Sequence, residues 1–361
     1  MSQLRTALAA LLLLSACSGS PFEDSTDGTD GGTDGGTDGG TDGGIDSDRV
    51  LPPGTASPKA TSSIVRYEAT GDDSTDGNSG NGYVTKVSYD RKTDTFSVDG
   101  LAFDGDNTYA RGSKVGSLGK VAVYEGKPSI PDGFSGTSID QIQHRALYGV
   151  SSDGQVEFAI VRTGGYVDYG FGGFIYQRNG SVKLPSEGTD TADYRGQARY
   201  KGKFASLRDF KARGGLEYGR ADMTMDIDYD DFNDGNGVKG RIYNRKIYDI
   251  NGKDITEDVV AALSAESNLK QDELPEIRFR VQQGVMDDNG EIVGTVSSSY
   301  YNGEGAIEGF EEGNYYAIVE GKDADQVVGV VVVEGDDPRW SGVTTRETGG
   351  FILKRKKAST N

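Results

Sequence analysis

The sequence predicts an all-β fold, either a sandwich or a barrel of antiparallel strands. Apolar and polar residues alternate over long stretches, Asn, Asp and Gly fill the turns between them, and the chain has 54 glycines but only 9 prolines. Alternation with a period of two buries one face of a strand and leaves the other in water. Glycine permits the positive φ and tight bends that hairpins need. Many short strands with few helix signals are typical of sandwiches and barrels.

The first twenty residues have the features of a secretory signal peptide. Arg5 precedes an apolar run from 7 to 14, which is too short to span a bilayer as a helix of about 20 residues. The run ends in a segment that resembles a bacterial lipobox, Leu14-Ser15-Ala16-Cys17. In such a box the cysteine is acylated, with palmitate among the chains, and two or more chains anchor a protein stably. We therefore expect residues 1–16 to be removed and Cys17 to carry the lipid.

An ordinary signal peptide with a chance cysteine is the alternative to a lipid anchor. Cys17 is the only cysteine in the chain, so it cannot form an internal disulfide. Lipidation would explain why the chain has a single cysteine at this position. Ser18 follows it where an aspartate would favour retention in the inner membrane, so we expect the outer membrane to be the destination.

Residues 17–61 read as an extended tether. They include four copies of Thr-Asp-Gly-Gly, beginning at 29, 33, 37 and 41. Glycine raises the chain entropy and the aspartates repel one another, while the four repeats contain no large apolar residue to fill the core of a calcium-binding β-roll. After the tether we predict a first β-rich domain over 62–188 and a second domain over 189–356, separated by a run of turn residues near 183–190.

The second domain shows the strand pattern most clearly. Apolar residues occupy alternate positions in 221–229, 238–242 and 277–281, and hairpin turns are expected at 234–237 and 288–290. Gly329 interrupts a run of valines, which predicts a strand that bends at a barrel corner. The best helix signal covers Asp254 to about Lys270, with Asp254 and Glu257 as a capping box. We expect this helix to lie in a connection of the barrel.

A membrane-spanning barrel does not fit this pattern. Such a barrel shows lipid an apolar band with aromatic girdles, whereas one face of nearly every predicted strand carries charges. The chain also ends in Lys356-Lys357-Ala358-Ser359-Thr360-Asn361, and not on an aromatic residue. We therefore expect a soluble barrel.

Catalytic and metal-binding arrangements are hard to build from these residues. His144 is the only histidine, and we expect it to have a structural or surface role in one helical turn that leads into a strand. The densest cluster of oxygen ligands begins at Asp226, but the sixth and twelfth positions of an EF-hand loop would fall on Asp231 and Gly237. A pair among the 57 acidic residues could have the spacing of a glycosidase only by coincidence. We therefore predict no enzyme activity, no catalytic residue, no metal site and no cofactor.

Charge and aromatic composition narrow the range of partners. A net charge of −19 argues against binding to nucleic acid or anionic lipid. The chain has 19 tyrosines, and several cluster with glycine at 166–176 and 299–303. Tyrosine and glycine on loops suit protein recognition, although the same residues also suit barrel cores.

Several segments of the second domain resemble the barrels of transferrin-binding protein B and factor H-binding protein surface lipoproteins. The similar segments are Tyr194–Gly202, Gly305–Phe310, Tyr316–Val330 and Thr348–Phe351. The resemblance covers about 190–355 and is weaker over 62–188. It implies an eight-stranded antiparallel barrel at the carboxyl end, preceded by a β-rich, handle-like domain.

The resemblance also implies a role in binding. Members of this group are outer-membrane lipoproteins, often displayed at the surface, that bind host proteins or iron and haem carriers. We therefore expect a surface-exposed binding module for an extracellular protein or an iron or haem carrier, with the ligand-binding residues unknown. A periplasm-facing structural or assembly lipoprotein is the first alternative, and a hydrolase that uses paired carboxylates is the second.

Overall fold

Strands dominate the structure, a computed structural model that describes residues 51–69, 83–84, 86–99, 101, 106–165, 169–185, 196–229 and 236–356. The predicted lipidation site Cys17, residues 17–50 of the predicted tether, half of the predicted turn at 234–237 and the predicted domain boundary at 188/189 lie outside these residues. The end of the predicted tether, 51–61, is described and contacts the folded body, since Gly54 forms a bridge with Arg66 and Ala60 packs against the barrel core. The amino-terminal half of the described chain forms these strands: β1 (Ile64–Tyr67), β2 (Lys86–Asp90), β3 (Thr95–Asp99), β4 (Thr108–Arg111), β5 (Ser117–Leu118), β6 (Val121–Glu125), β7 (Ser129–Pro131), β8 (Ser138–Asp140), β9 (His144–Val150), β10 (Val156–Thr163) and β11 (Gly172–Arg178).

The first sheet is antiparallel and curls back on itself. Its strand order is β1-β11-β10-β9-β6-β4-β3-β2, with β5 paired to β6. The curl is visible at Tyr83, just before the edge strand β2, because its amide donates to the carbonyl of Gly172 in β11 (3.1 Å). The concave side encloses an apolar core that includes Phe96, Tyr124 and Val161. Strands β7 and β8 pair only with each other among the described strands and form a separate hairpin.

The carboxyl-terminal half forms the second sheet and one helix. In chain order these elements are β12 (Gln197–Lys211), β13 (Leu216–Asp228), β14 (Gly237–Asp249), α1 (Thr256–Ser267), β15 (Ile277–Phe279), β16 (Gln282–Gln283), β17 (Glu291–Tyr301), β18 (Ile307–Glu320), β19 (Gln326–Asp336) and β20 (Thr344–Arg355).

These strands close into an eight-stranded antiparallel barrel, as predicted. Their order is β13-β12-β20-β19-β18-β17-β15-β14, and pairing between β13 and β14 completes the ring. The short strand β16 only extends the pairing of β14. One end of the barrel, here called the upper end, carries the β12–β13 turn, the β17–β18 hairpin tip, the β19–β20 loop and α1. The lower end carries the β18–β19 turn and the end of β20.

Strand β19 explains why a run of valines appears in the sequence. Val327 and Val331 point into the barrel, whereas Val328 and Val330 pack against the first sheet. Both faces of this strand are therefore buried, in two different cores. Gly329 pairs in regular register with Ala317 and Phe351, so this residue is not at a β-bulge. A Cβ at 329 would lie 2.6 Å from the ring of Phe351, so the glycine makes room for that side chain inside the barrel.

A pair of glycines in β20 lets the two cores approach the same strand. A Cβ on Gly349 would lie 2.0 Å from the ring of Phe204 inside the barrel. A Cβ on Gly350 would lie 2.1 Å from the ring of Phe158, which reaches over from β10 of the first sheet. An aromatic ring therefore packs directly against the backbone of each glycine, one inside the barrel and one outside it.

Buried ion pairs and hydrogen bonds also join the two sheets. Arg66 pairs with Glu291 (Nε–Oε1 2.6 Å), and Arg178 donates to the carbonyl of Val319 (2.9 Å). Arg162 binds Glu68 (Nη1–Oε2 2.9 Å) and also donates to Thr348 (3.0 Å). Breaking a buried pair costs several kcal/mol because it leaves a charge uncompensated, so these contacts specify how the sheets meet.

The predicted helix is present, but its start differs from the prediction. Helix α1 begins at Thr256 and lies between β14 and β15. The capping-box prediction is wrong, because Ile255 occupies the N-cap and makes no side-chain cap. Asp254 instead accepts a hydrogen bond from the amide of Thr256 (2.9 Å) in the preceding turn. Strand β15 ends at Phe279, which leaves the predicted inward residue Val281 exposed.

Candidate binding surface at the upper end of the barrel

The barrel interior is filled by side chains and leaves the surface as the place for a ligand. The rings of Phe279 and Tyr315 pack against each other with centroids 4.2 Å apart and planes inclined by 36°, and Met223 and Met225 are buried in the same core. Eight strands enclose an interior just wide enough for side chains to fill. A partner of this protein is therefore expected to bind loops and outer faces.

The upper third of the interior is held by a buried network of charges. Arg245 donates to both oxygens of Glu311 (2.6 and 2.7 Å) and to Glu347 (2.8 Å). Ser298 donates to Glu311 and Ser206 donates to Glu347, each at 2.7 Å. Bidentate contacts of this kind have a strict geometry, so they hold β14, β18 and β20 in a defined arrangement.

The same network continues to the β19–β20 loop. Arg339 donates to Glu217 (2.8 and 3.0 Å) and to Asp337 (2.7 and 2.9 Å). Arg208 lies between them, 3.3 Å from Glu217 and 3.7 Å from Asp337 and from Glu347. The loop above the barrel is therefore tied to the interior by charge-assisted hydrogen bonds.

The pKa values of these groups reflect their pairing. Burial acts to lower the pKa of Arg245, but the charges of Glu311 and Glu347 outweigh it and raise that pKa above its usual value. Burial acts to raise the pKa of Glu311, and Arg245 outweighs it, so this carboxyl has a pKa below its usual range. Both groups therefore remain charged at neutral pH, and the ion pair between them persists.

Trp340 marks the surface above this network. It is the only tryptophan of the chain and lies between the guanidinium groups of Arg213 (3.5 Å to the ring centroid) and Arg339 (4.0 Å). Phe210 contacts it edge-on at 5.6 Å. Because Trp340 belongs to the β19–β20 loop, its fluorescence reports on the upper end of the barrel.

The β7–β8 hairpin, here called the finger (residues 127–143), projects beside the upper end. At the base of the finger, His144 pairs with Thr163. The carbonyl of the next residue, Gly164, accepts a hydrogen bond from the amide of Gly215 in the β12–β13 turn (2.8 Å). At the tip, Asp132 accepts hydrogen bonds from the amide (2.9 Å) and the hydroxyl (2.6 Å) of Ser135. The bond from the Ser135 hydroxyl is the main reason that the pKa of Asp132 is below its usual range.

The finger presents a large apolar side chain to solvent. Phe134 is fully exposed at its tip, and Ile139 is 45% exposed on β8. The hydrogen bonds of Asp132 keep the tip ordered without covering the phenyl ring. An exposed aromatic residue on a preorganised turn has the character of a binding hot spot, because little entropy is lost when it is buried. Phe134 was not among the residues predicted from the sequence, although a phenylalanine between Gly133 and Gly136 in a turn-rich segment was a usable signal.

A second projection lies at the upper end, formed by the β17–β18 hairpin and the end of α1. Tyr301 and Ile307 pair across the hairpin and are 59% and 65% exposed. The hairpin tip is bound to the helix end, since Gly303 donates to the carbonyl of Ser267 (2.7 Å). Leu269, just after the helix, is 40% exposed. We call Leu269, Tyr301 and Ile307 the helix–hairpin patch.

An open cleft of about 460 Å³ lies at the lower end, on β12, β13 and β14. Arg199 pairs with Asp226 (Nε–Oδ1 2.6 Å), and Lys239 lies 3.9 Å from the same carboxylate. These charges largely neutralise one another, which makes the cleft a weaker candidate than the upper end. Asp226 was the first member of the predicted oxygen cluster, and residues 230–235 of that cluster lie outside the described part.

The structure places His144 inside the protein at the base of the finger. The prediction of a helical turn before it is wrong, because β8, three irregular residues and β9 occupy this segment. The imidazole Nδ1 lies 3.0 Å from the carbonyl oxygen of Ile142, and burial lowers the pKa of the ring to about 4. His144 is therefore a neutral core residue at physiological pH.

The predicted tyrosine clusters divide between core and surface. Phe174 and Tyr176 of the first cluster are buried in β11, and Tyr300 of the second is buried beside the exposed Tyr301. Among the described residues, no group of three or more His, Cys, Asp or Glu side chains is placed to hold a metal ion. No helix in the described ranges has the length and apolar character needed to cross a membrane.

Comparison with known proteins finds similarity to solved structures alone. No family model matches the chain, and no curated protein matches it. A variant of the vaccine antigen transferrin binding protein B from Haemophilus parasuis matches with a TM-score of 0.35 and 12% identity, over 81% of this chain and 45% of that chain. The intact Ap-TbpB with its N and C lobes matches with a TM-score of 0.33 and 11% identity, over 73% of this chain and 42% of that one.

A third similar structure is described as an outer membrane protein candidate from Bacteroides fragilis. It matches with a TM-score of 0.23 and 10% identity, over 75% of this chain and 87% of that chain. The present chain spans less than half the length of the transferrin binding proteins that it resembles. At these identities and TM-scores, the comparisons do not indicate a ligand, and the handle-like sheet followed by a closed barrel is established by the structure itself.

Proposed function

We propose that this chain is an outer-membrane lipoprotein, anchored through Cys17 and displayed at the cell surface, that binds an extracellular protein with its upper end. The lipobox and the Thr-Asp-Gly-Gly tether support the anchor. A filled barrel interior and two projecting hairpins support a binding role at the surface. The proposal includes an iron or haem carrier, which the resemblance implies, as one class of extracellular protein partner. Residues 62–188 and 189–356 are the two domains of this lobe in the proposal.

The observation that carries the proposal is the full exposure of Phe134 at the tip of an ordered finger. Burial of a phenylalanine side chain contributes about 1.5–3 kcal/mol, and every 1.4 kcal/mol changes a dissociation constant tenfold. A partner that buries Phe134 would therefore bind roughly 10- to 100-fold more tightly than one that does not. An isolated protein gains nothing from leaving this ring in water.

Affinity capture tests the proposal. The full chain with Cys17→Ser serves as bait for iron carriers, haem proteins and culture filtrate, and the same bait with Phe134→Ser is run beside it. Val150→Ser is the matched control, because Val150 is 45% exposed at the end of β9, away from the finger tip. We expect a saturable partner whose affinity falls at least tenfold with Phe134→Ser and does not change with Val150→Ser. The absence of a saturable partner, or equal binding by Phe134→Ser, would contradict the proposal.

Surface display is tested separately, by adding a protease to intact cells. Display at the surface predicts that the body is cleaved while a periplasmic marker stays intact. Protection of the body until the outer membrane is opened would favour the periplasm-facing structural lipoprotein.

A further inference from the structure

The helix–hairpin patch is an ordered surface. The Asn302 side-chain oxygen accepts hydrogen bonds from the amides of Glu304 (3.0 Å) and Ala306 (2.9 Å), which closes the hairpin tip. Below it, the Tyr300 hydroxyl donates to Glu308 (3.0 Å). The side chains of Tyr301 and Ile307 therefore stand on a preorganised turn, where binding requires little ordering.

The position of the patch on its strands is unusual for this barrel. Below the patch, the outward positions of β17 are Thr295, Ser297 and Ser299, which are polar. The outward position after them is Tyr301, and Ile307 lies directly opposite. A single exposed apolar residue needs no explanation, but three together on two elements that are bound to each other indicate an interaction site.

The charges around the patch are almost all negative. The segments 266–273 and 301–312 expose Glu266, Asp272, Glu273, Glu304, Glu308 and Glu312. The cation within these segments is Lys270, which is paired with Asp272 (2.7 Å). Glu266 and Glu308 also act electrostatically on Tyr300, which places the helix end and the hairpin in one local field.

We propose that the helix–hairpin patch binds a cationic protein surface in which lysine or arginine residues surround an apolar side chain. The inference rests on the proposed function, for which it names the chemistry of the partner. Complementary charge steers association and excludes partners of the wrong sign, while the apolar centre supplies the affinity. Nucleic acids and anionic lipid surfaces are repelled by the same carboxylates.

Selection from a random displayed peptide library tests this inference, with the full chain carrying Cys17→Ser as the target. We expect the selected peptides to combine lysine or arginine with leucine, isoleucine or aromatic residues. The best peptide should bind at least tenfold more weakly to the double variant Tyr301→Ser, Ile307→Ser. Its affinity should also fall at least tenfold with Glu266→Lys plus Glu304→Lys, and Val150→Ser should have no effect. Trp340 emission and circular dichroism confirm that each variant is folded.

Two outcomes would overturn the inference: selection of acidic or uncharged peptides, or undiminished binding of cationic peptides to the Tyr301→Ser, Ile307→Ser variant. Its failure can be separated from failure of the proposed function. A protein captured from culture filtrate through Phe134, with an affinity indifferent to Tyr301 and Ile307, would keep the proposed function and refute the cationic patch. If cationic peptides bind the patch but no pool contains a saturable protein partner, the inference about the patch is kept and the proposed function is refuted.

Discussion

The contact of Phe158 with Gly350 predicts a strong energetic coupling between the two sheets. Phe158 belongs to β10 of the first sheet, and its ring lies on the backbone of Gly350 in β20 of the barrel. The ring is also close to Gly149, where a Cβ would lie 2.3 Å from it. The substitution Gly350→Ala therefore pushes the ring toward a second backbone, which leaves it little room to move.

The size of the effect follows from the distances. The new Cβ would lie 2.1 Å from the ring, whereas carbon atoms pack at about 3.5 Å or more, so the ring must move by roughly 1.4 Å. Overpacking of this kind costs about 1–3 kcal/mol, and Phe158→Ala alone costs about 3–5 kcal/mol. In the Phe158→Ala background the added methyl group enters the vacated space and should cost about nothing. The expected coupling energy is therefore about 1–3 kcal/mol.

A double-mutant cycle measures this coupling through urea unfolding, followed by Trp340 fluorescence and circular dichroism. Gly309→Ala is the matched control, because a Cβ at that strand position meets no atom within 4 Å, and its effect should stay within about 0.5 kcal/mol. Equal costs of Gly350→Ala with and without Phe158 would refute the reasoning. Such additivity would mean that the ring does not press on this glycine.

Three further predictions concern buried charge and the lipid anchor. Burial lowers the pKa of His144 to about 4, whereas the unfolded imidazole titrates near 6.5, so the unfolded chain binds more protons between these values and stability falls as the pH drops through them. His144→Leu should remove up to about 3 kcal/mol of this pH dependence in urea titrations, and an unchanged slope would contradict the burial argument. Arg245→Met should destabilise the protein by about 3–5 kcal/mol at neutral pH and by less at pH 4, where Glu311 can be protonated; an equal loss at both pH values would count against the ion network. Cys17→Ser should move the protein from the membrane to the soluble fraction with unchanged Trp340 emission, and retained membrane association would show that Cys17 is not the anchor.

The outline of the fold could be predicted from local patterns. Alternation in 221–229 and 238–242 correctly indicated strands with one buried face, and a helix was correctly expected between two barrel strands. These features depend on neighbours within a few residues, through the period of a strand and the conformations that turn residues allow. Because these patterns are local, they predicted the ends of the helix and of β15 less accurately, as at Ile255 and Phe279.

The inward orientation of the Arg245 side chain could not be predicted from local patterns. A bulge opposite Ala221 places Asn244 at a positive φ of 55° and adds one residue to β14. One added residue reverses the faces of every side chain that follows, so Arg245 and Ile247 point into the barrel. Its partners Glu311 and Glu347 lie 66 and 102 residues further along the chain.

The sequence by itself predicted the all-β class, the faces of the regular strands such as 221–228, and a segment that resembles a lipobox, because each of these depends on residues close together in the chain. Only the tertiary structure decided which core each face joins, which charges pair inside the barrel, and that Phe134, Tyr301 and Ile307 remain exposed. An apolar residue is buried or exposed according to whether distant segments cover it, and that depends on the packing of the two sheets against each other. The candidate binding surface therefore became visible only when the chain was folded.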